Sequence, residues 1–190
     1  MYKIVEFSHL LITEFYKKNN DRALTFIDAT CGMGNDSLHL AKTLNNNGEI
    51  IVYDIQDVAI YETKKLLEKN KYFNVLYKHQ SHETLCEEFD LIIYNLGYLP
   101  NHDKSITTKA TSTLESIKKA ITLCDNKDEY LIIIVLYPGH IEGKKESLIV
   151  DEFCFNLPSN KYLVSKYQNY NRITSPYIIT ISKNNKTKHP

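Results

Sequence analysis

Eight apolar residues follow one another without a break at 130–137, Tyr-Leu-Ile-Ile-Ile-Val-Leu-Tyr, before Pro138 and Gly139 end the run. It is far short of the roughly 20 residues that cross a bilayer. It is also too evenly apolar to keep one face in water. A strand in the middle of a parallel sheet, covered on both faces, fits it. Shorter runs at 24–30, 49–54, 74–78 and 89–95 read as four further strands.

Helical spacing fills the intervals. Phe7, Leu10, Leu11 and Phe15 predict an opening amphipathic helix, and Ala59, Ile60, Thr63, Leu66 and Leu67 another. Between these, Leu38, Leu40, Ala41 and Leu44 mark a helix that Asp36 is expected to cap and that stops in 45–48. A long loop from Leu96 leads to a helix expected to start at Thr111 or Thr113, and a further helix covers 145–155. The last strand candidates, 162–170 and 177–182, have only a short turn region between them, which suits an antiparallel hairpin. Strand–helix alternation predicts a three-layer α/β fold with a mostly parallel sheet of seven strands and a C-terminal hairpin. A length of 190 residues with no repeat or linker predicts one domain over 1–190, with a frayed polar tail at 183–190.

Composition narrows the function classes. Twenty-three basic and 23 acidic residues give zero formal charge, which argues against gripping nucleic acid by bulk charge but leaves room for a local patch. Cys31, Cys86, Cys124 and Cys154 form no CxxC pair, so neither zinc-ribbon spacing nor a disulfide framework is expected. No signal peptide can be read near Met1. The expectation is a reduced, soluble, cytoplasmic protein without a membrane segment. The sequence His79-Gln-Ser-His82-Glu83 departs from both HExxH and HxxEH, and no third ligand is evident. No metal site is expected.

The loop Asp28-Ala-Thr-Cys-Gly-Met-Gly-Asn-Asp36 follows the first strand, at the end of an open α/β sheet where ligands bind. Gly32 and Gly34 let the backbone turn tightly and approach a ligand. The helix beyond offers unpaired N–H groups to an anionic group. Asp54, closing the second strand, is placed to accept hydrogen bonds from two ribose hydroxyls. A dinucleotide fingerprint wants a third glycine where this chain has Ser37. An S-adenosyl-L-methionine site needs no such glycine, because it holds no pyrophosphate. It also has a use for an early acid, as Asp28 is, near the cationic amino-acid end. A tight strand-to-helix turn with no ligand is the plain alternative.

After the fourth strand comes Asn95-Leu-Gly-Tyr-Leu-Pro100, which resembles the Asn/Asp-Pro-Pro-Tyr loop of amino-methylating enzymes, with Leu96 and Gly97 in place of the prolines. An Asn95 carbonyl could accept a hydrogen bond from an amine, and Tyr98 could stack on a base. A glycine turn with a packed tyrosine explains the same residues. Further segments follow in order: Asp54-Ile55-Gln56, His82-Glu83, Asp103-Lys104 with Thr107-Thr108, and Tyr137-x-Gly-His140-x-x-Gly143-x-x-Glu146. Taken with the two loops, they resemble the small bacterial proteins of the rRNA-methylase family. That family includes the tRNA 5-aminomethyl-2-thiouridine methyltransferases, and the likeness runs over about 24–182.

The resemblance implies a Rossmann-like class I methyltransferase fold with S-adenosyl-L-methionine as donor. It implies methylation of the aminomethyl nitrogen of 5-aminomethyl-(2-thio)uridine at the tRNA wobble position, with the anticodon loop as partner and a homodimer as possible assembly. Carried onto this sequence, the cofactor would meet Asp28, Thr30, Gly32, Gly34, Asn35, Asp36, Asp54, Ile55, Gln56, His82, Glu83 and Asn95. Asn95, Gly97 and Tyr98 would serve the chemistry. Tyr98, Pro100, Asp103, Lys104, Thr107, Thr108, Tyr137, His140 and Gly143 would meet the substrate. Lys104, Lys109, Lys118, Lys119, Lys144, Lys145 and Arg172 could form a basic rim, although Lys118 and Lys119 also suit a solvated helix face. Methylation of rRNA or a small amine, a nicotinamide-dependent oxidoreductase, and a non-catalytic RNA-binding module are the competing readings.

Overall fold

The structure, a computed structural model, describes residues 3–97 and 109–185. Its elements in chain order are α1 (Ile4–Asn19), β1 (Leu24–Asp28), α2 (Asn35–Leu44), β2 (Gly48–Asp54), α3 (Asp57–Lys69) and β3 (Val75–His79). There follow β4 (Leu91–Asn95), α4 (Ala110–Cys124), β5 (Leu131–Leu136), α5 (Ile141–Phe155), β6 (Tyr162–Tyr167) and β7 (Tyr177–Lys183). One 3-10 turn, His82–Thr84, lies between β3 and β4.

The strands form one sheet in the order β3-β2-β1-β4-β5-β7-β6. The first five are parallel. β7 runs antiparallel to both β5 and β6, so the hairpin closes one side of the sheet. Strand order reverses between β1 and β4, and this junction is the switch point where open α/β sheets bind ligands.

Alternating side chains of the central strands feed two cores. Ile27, Ile51, Ile92 and Ile134 pack beneath α4 and α5, against Ile117, Ile121 and Val150. Phe26, Val52, Ile93 and Ile133 pack beneath α1, α2 and α3, against Ile12, Leu40 and Leu67. This period-two division makes the three layers, and it explains why β5 must be apolar throughout: both of its faces are covered. Among the described residues, no helix is long and apolar enough to cross a membrane.

The helix starts differ from the pattern-based expectation. α2 begins at Asn35 with Gly34 as its N-cap, so Asp36 lies in the first turn and leaves its carboxylate for other partners. α4 begins at Ala110 after Lys109. α5 begins at Ile141, four residues before the expected start, because the His140 side chain caps it by accepting from Gly143 N. β6 ends at Tyr167, short of Tyr170.

Candidate active site

Loops leaving the carboxyl ends of β1 to β5 meet around a cleft of about 980 Å³, closed on one side by Thr174 and Pro176 from the turn before β7. This is the upper end of the ~300–1,000 Å³ typical of small-molecule sites.

The β1 loop forms its floor. Gly32 and Gly34 have φ of +51° and +79°. A Cβ on Gly34 would lie 3.0 Å from Thr63 Cα, so glycine here serves both the left-handed backbone and the close approach to α3. Asp54 ties this loop to β2: Oδ2 accepts from Gly32 N at 3.0 Å, and Oδ1 from Gln56 N at 2.9 Å. Both bonds come from backbone N–H groups and leave acceptor capacity on each oxygen. Burial raises the Asp54 pKa even so.

Asp28 takes a different position from the one expected. It is fully buried beneath the loop, outside the lining of the cleft. Its oxygens accept from Thr30 N at 3.1 Å and Ser37 Oγ at 2.6 Å. The carboxylate therefore braces the turn that forms the floor. Burial first, and then the charge of Asp36, push its pKa up to about 7. Ser37, which stands where a dinucleotide site would have glycine, supplies one of these bonds. Gly34 also lies outside the lining, against α3, and Gly143 lies inside the first turn of α5. A Cβ on Gly143 would fall 2.2 Å from Tyr137 O, so this glycine serves packing.

Asp36 and Asn95 meet where the β1 and β4 loops converge. Asn95 Nδ2 donates to Asp36 Oδ2 at 2.7 Å, and Asn95 N donates to Thr30 Oγ1 at 2.8 Å. The other oxygen of Asp36 pairs with His9 Nε2 at 2.7 Å, from α1. No local pattern marks His9, whose partner is 27 residues away. Tyr137 and His140 form the wall beyond β5, with Gly97 nearby. Tyr137 hydrogen-bonds with the Asn95 side chain, and burial pushes its hydroxyl up to about 12.

Gln56, Ile55, His82 and Glu83 line the opposite end of the cleft. The 3-10 turn carrying His82 is anchored from α4: Ser116 Oγ donates to His82 O at 2.8 Å, with Tyr94 Oη 2.8 Å from Ser116 Oγ. His82 is 8% exposed, and burial lowers its pKa to about 4. Its Nδ1 is buried without a hydrogen-bond partner among the described residues. Lys109, expected in the basic rim, lines the cleft together with Ser112 and with Thr111, which the sequence marked only as a helix start. Tyr98, Pro100, Asp103, Lys104, Thr107 and Thr108 lie outside the described residues. Of the expected basic rim, Lys118 pairs with Glu115, Lys145 with Glu142, and Lys119 donates to Glu83 O.

The family model described as "Putative rRNA methylase" matches residues 50–183 of this chain. The chain belongs to that family. It is 32% identical, over 95% of its own length and 69% of the relative's, to the chloroplastic tRNA (mnm(5)s(2)U34)-methyltransferase of Arabidopsis thaliana. Among solved structures, a "putative rRNA-methylase" from Clostridium thermocellum aligns with TM-score 0.88 and 30% identity, covering 97% of this chain and 99% of that one. A "putative methyltransferase" from Streptococcus mutans, in complex with S-adenosylhomocysteine, aligns with TM-score 0.81 and 29% identity, covering 97% and 99%. This member of the family is an S-adenosyl-L-methionine-dependent methyltransferase of Rossmann-like class I fold.

The residues present suit that cofactor. Asp36 and Asp54 line the cleft with Asp28 buried beneath its floor, and among the described residues neither a lysine nor an arginine pairs with them. A ligand carrying a sulfonium and an ammonium brings the missing positive charge. The buried Nδ1 of His82 has a polar valence to satisfy, and the turn around Gly32 leaves the backbone bare for close approach.

Proposed function

We propose that this methyltransferase acts on tRNA, adding a methyl group to the aminomethyl nitrogen of 5-aminomethyl-(2-thio)uridine at the wobble position to give 5-methylaminomethyl-(2-thio)uridine. The name of the Arabidopsis relative supports this acceptor. The observation that carries the reading is the Asn95 amide, bonded to Asp36 through its nitrogen, so that its carbonyl, with two lone pairs and Tyr137 beside it, has acceptor capacity for a nitrogen nucleophile.

S-adenosyl-L-methionine, when bound, supplies a methyl group activated by sulfonium. The Asp54 carboxylate would accept from its ribose hydroxyls, and the backbone from Gly32 to Asn35 would receive its amino-acid end. His82 and Glu83 would border its adenine, with Ile55 and Gln56 beside them. At the other end, the Asn95 carbonyl accepts an N–H of the substrate amine and turns its lone pair toward the methyl group. An alkylamine is mostly protonated at neutral pH. The acidic rim attracts that cation, and a proton must leave to water before attack, since the acceptor nitrogen of His140 is taken by Gly143 N. Alignment of this kind supplies about 7–11 kcal/mol in well-oriented systems. Tyr137 and His140 wall the acceptor side, and Lys109 offers a cation for a phosphate.

Purified protein incubated with labelled donor and tRNA bearing the unmethylated base should produce the methylaminomethyl nucleoside on hydrolysis. Asn95→Ala should lower turnover about 100-fold while the affinity for S-adenosylhomocysteine changes little. Label appearing only in rRNA or in small amines would overturn the acceptor, and equal loss of turnover and cofactor affinity would overturn the role of Asn95.

A further inference from the structure

We propose that His9, on α1, is a positioning residue for methyl transfer: through Asp36 it fixes which end of the Asn95 amide faces the cleft. The proposal rests on the reading that Asn95 holds the acceptor amine.

The two ends of an asparagine amide are nearly the same size but opposite in polarity. A carbonyl facing the amine accepts its N–H, whereas an NH2 group there would set donor against donor. Asp36 decides between them, because an ionised carboxylate only accepts. With Oδ2 at 2.7 Å from Asn95 Nδ2, the nitrogen is committed, and the amide carbonyl, which has two lone pairs, is left at the other end with Tyr137 beside the side chain. That selection needs the carboxylate itself to stay in one orientation, and its second oxygen is held by His9 Nε2 at 2.7 Å.

His9 is itself fixed. Its ring stacks on His39 with centroids 4.0 Å apart and planes 3° from parallel. His39 Nε2 in turn lies 3.0 Å from His9 O and 3.3 Å from Thr13 Oγ1. Burial, with the charge of His9, lowers the His39 pKa. None of the residues lining the cleft comes from α1, so His9 acts only through Asp36. The chain of contacts joins α1, the first turn of α2 and the end of β4. Its α1 and α2 members lie outside the stretch that the family model matches.

The test uses the full chain and tRNA carrying the aminomethyl base. His9→Ala should lower kcat about tenfold, the scale of one hydrogen bond to a charged group, with KM for tRNA and affinity for S-adenosylhomocysteine within about twofold. His9→Phe keeps the ring stacked on His39 but has no donor, so it should lose as much, and it carries the test if His9→Ala does not fold. His9→Gln, which restores a donor to Asp36, should recover most of the rate. In an Asn95→Ala background, His9→Phe should cost nothing more. A merely structural staple between α1 and α2 predicts the reverse: His9→Phe harmless, or equal losses in both backgrounds without rescue by glutamine. A second readout is independent of turnover. The Asn95 side-chain amide, assigned in a 1H–15N spectrum by its absence in Asn95→Asp, should shift in His9→Phe, and an unmoved signal would overturn the proposal. If the wild-type protein fails to methylate this tRNA, the acceptor reading falls and the amide signal still decides the part played by His9.

Discussion

Asp90 opens the amino end of β4, while Asp28, Asp36 and Asp54 stand at or just beyond the carboxyl ends of β1 and β2, and the two groups are treated in opposite ways. At Asp90, Oδ1 receives Arg22 Nη2 at 2.8 Å and Lys127 Nζ at 3.0 Å, and Oδ2 receives Thr25 N at 2.9 Å. Burial alone would raise its pKa, but these donors outweigh it and hold the carboxyl below the usual range. At the other end Asp28 and Asp54 are both pushed upward, chiefly by burial. One residue type thus fastens the fold at Asp90, where cations answer its charge, and lines a binding site at Asp54, where backbone N–H groups alone hold it. The unanswered charge is a standing cost that a cationic ligand removes.

This contrast is open to attack, beginning with the largest effect. Asp90→Ala removes the shared acceptor of Arg22, Lys127 and Thr25 N, and should cost about 2–3 kcal/mol in urea unfolding, the scale of hydrogen bonds to a charged group whose cationic partners stay partly solvated; a loss below about 1 kcal/mol would remove the distinction between the ends. Asp54→Asn should weaken S-adenosylhomocysteine binding by calorimetry by about 1.5–3 kcal/mol, as expected for hydrogen bonds to a charged group, with little change in unfolding. A large fall in stability instead would make Asp54 a fastener like Asp90.

Asp28→Asn tests the sign of the effect. An acid whose folded pKa is raised binds more protons folded than unfolded, so it lowers stability as pH climbs from its ordinary value, near 4, to about 7. Denaturation of the apoprotein across that window should show a decline that flattens in the variant, and a steeper decline would reverse the argument. Glu87 supplies the smallest effect. Burial would raise it, but Lys78 and the Tyr53 hydroxyl bring it down to about 2, so its contribution is present above pH 4.5 and fades as pH falls toward 2. Glu87→Gln should remove that acid-side step and cost at most about 1 kcal/mol at pH 7, as for partly exposed pairs.

The sequence was a good guide to the sheet because each strand carries its signal locally: the unbroken run at 130–137 becomes the fully covered β5, and the short interval before 177 becomes the hairpin. Helix starts were less legible. Histidine is not among the favoured N-cap residues, so the cap of α5 by His140 has no signature, and Gly34 displaced Asp36 from the expected cap. In the site, Gly32, Asp54, Asn95 and Tyr137 were legible because strand ends of a parallel sheet converge. His9, Thr174 and Pro176 were not, since tertiary contacts alone bring them to the rim or behind it. Asp28 was conspicuous for its place in the loop, and nothing local shows that both its oxygens turn inward.

The antiparallel insertion of β7 between β5 and β6 has a consequence for synthesis on the ribosome. Until 177–183 emerge, β6 has no neighbour to join and the flank of β5 remains a bare template for foreign strands. The vectorial order of translation therefore makes the final segment of the sheet its keystone, and a nascent chain paused before it should be a ready client for chaperones.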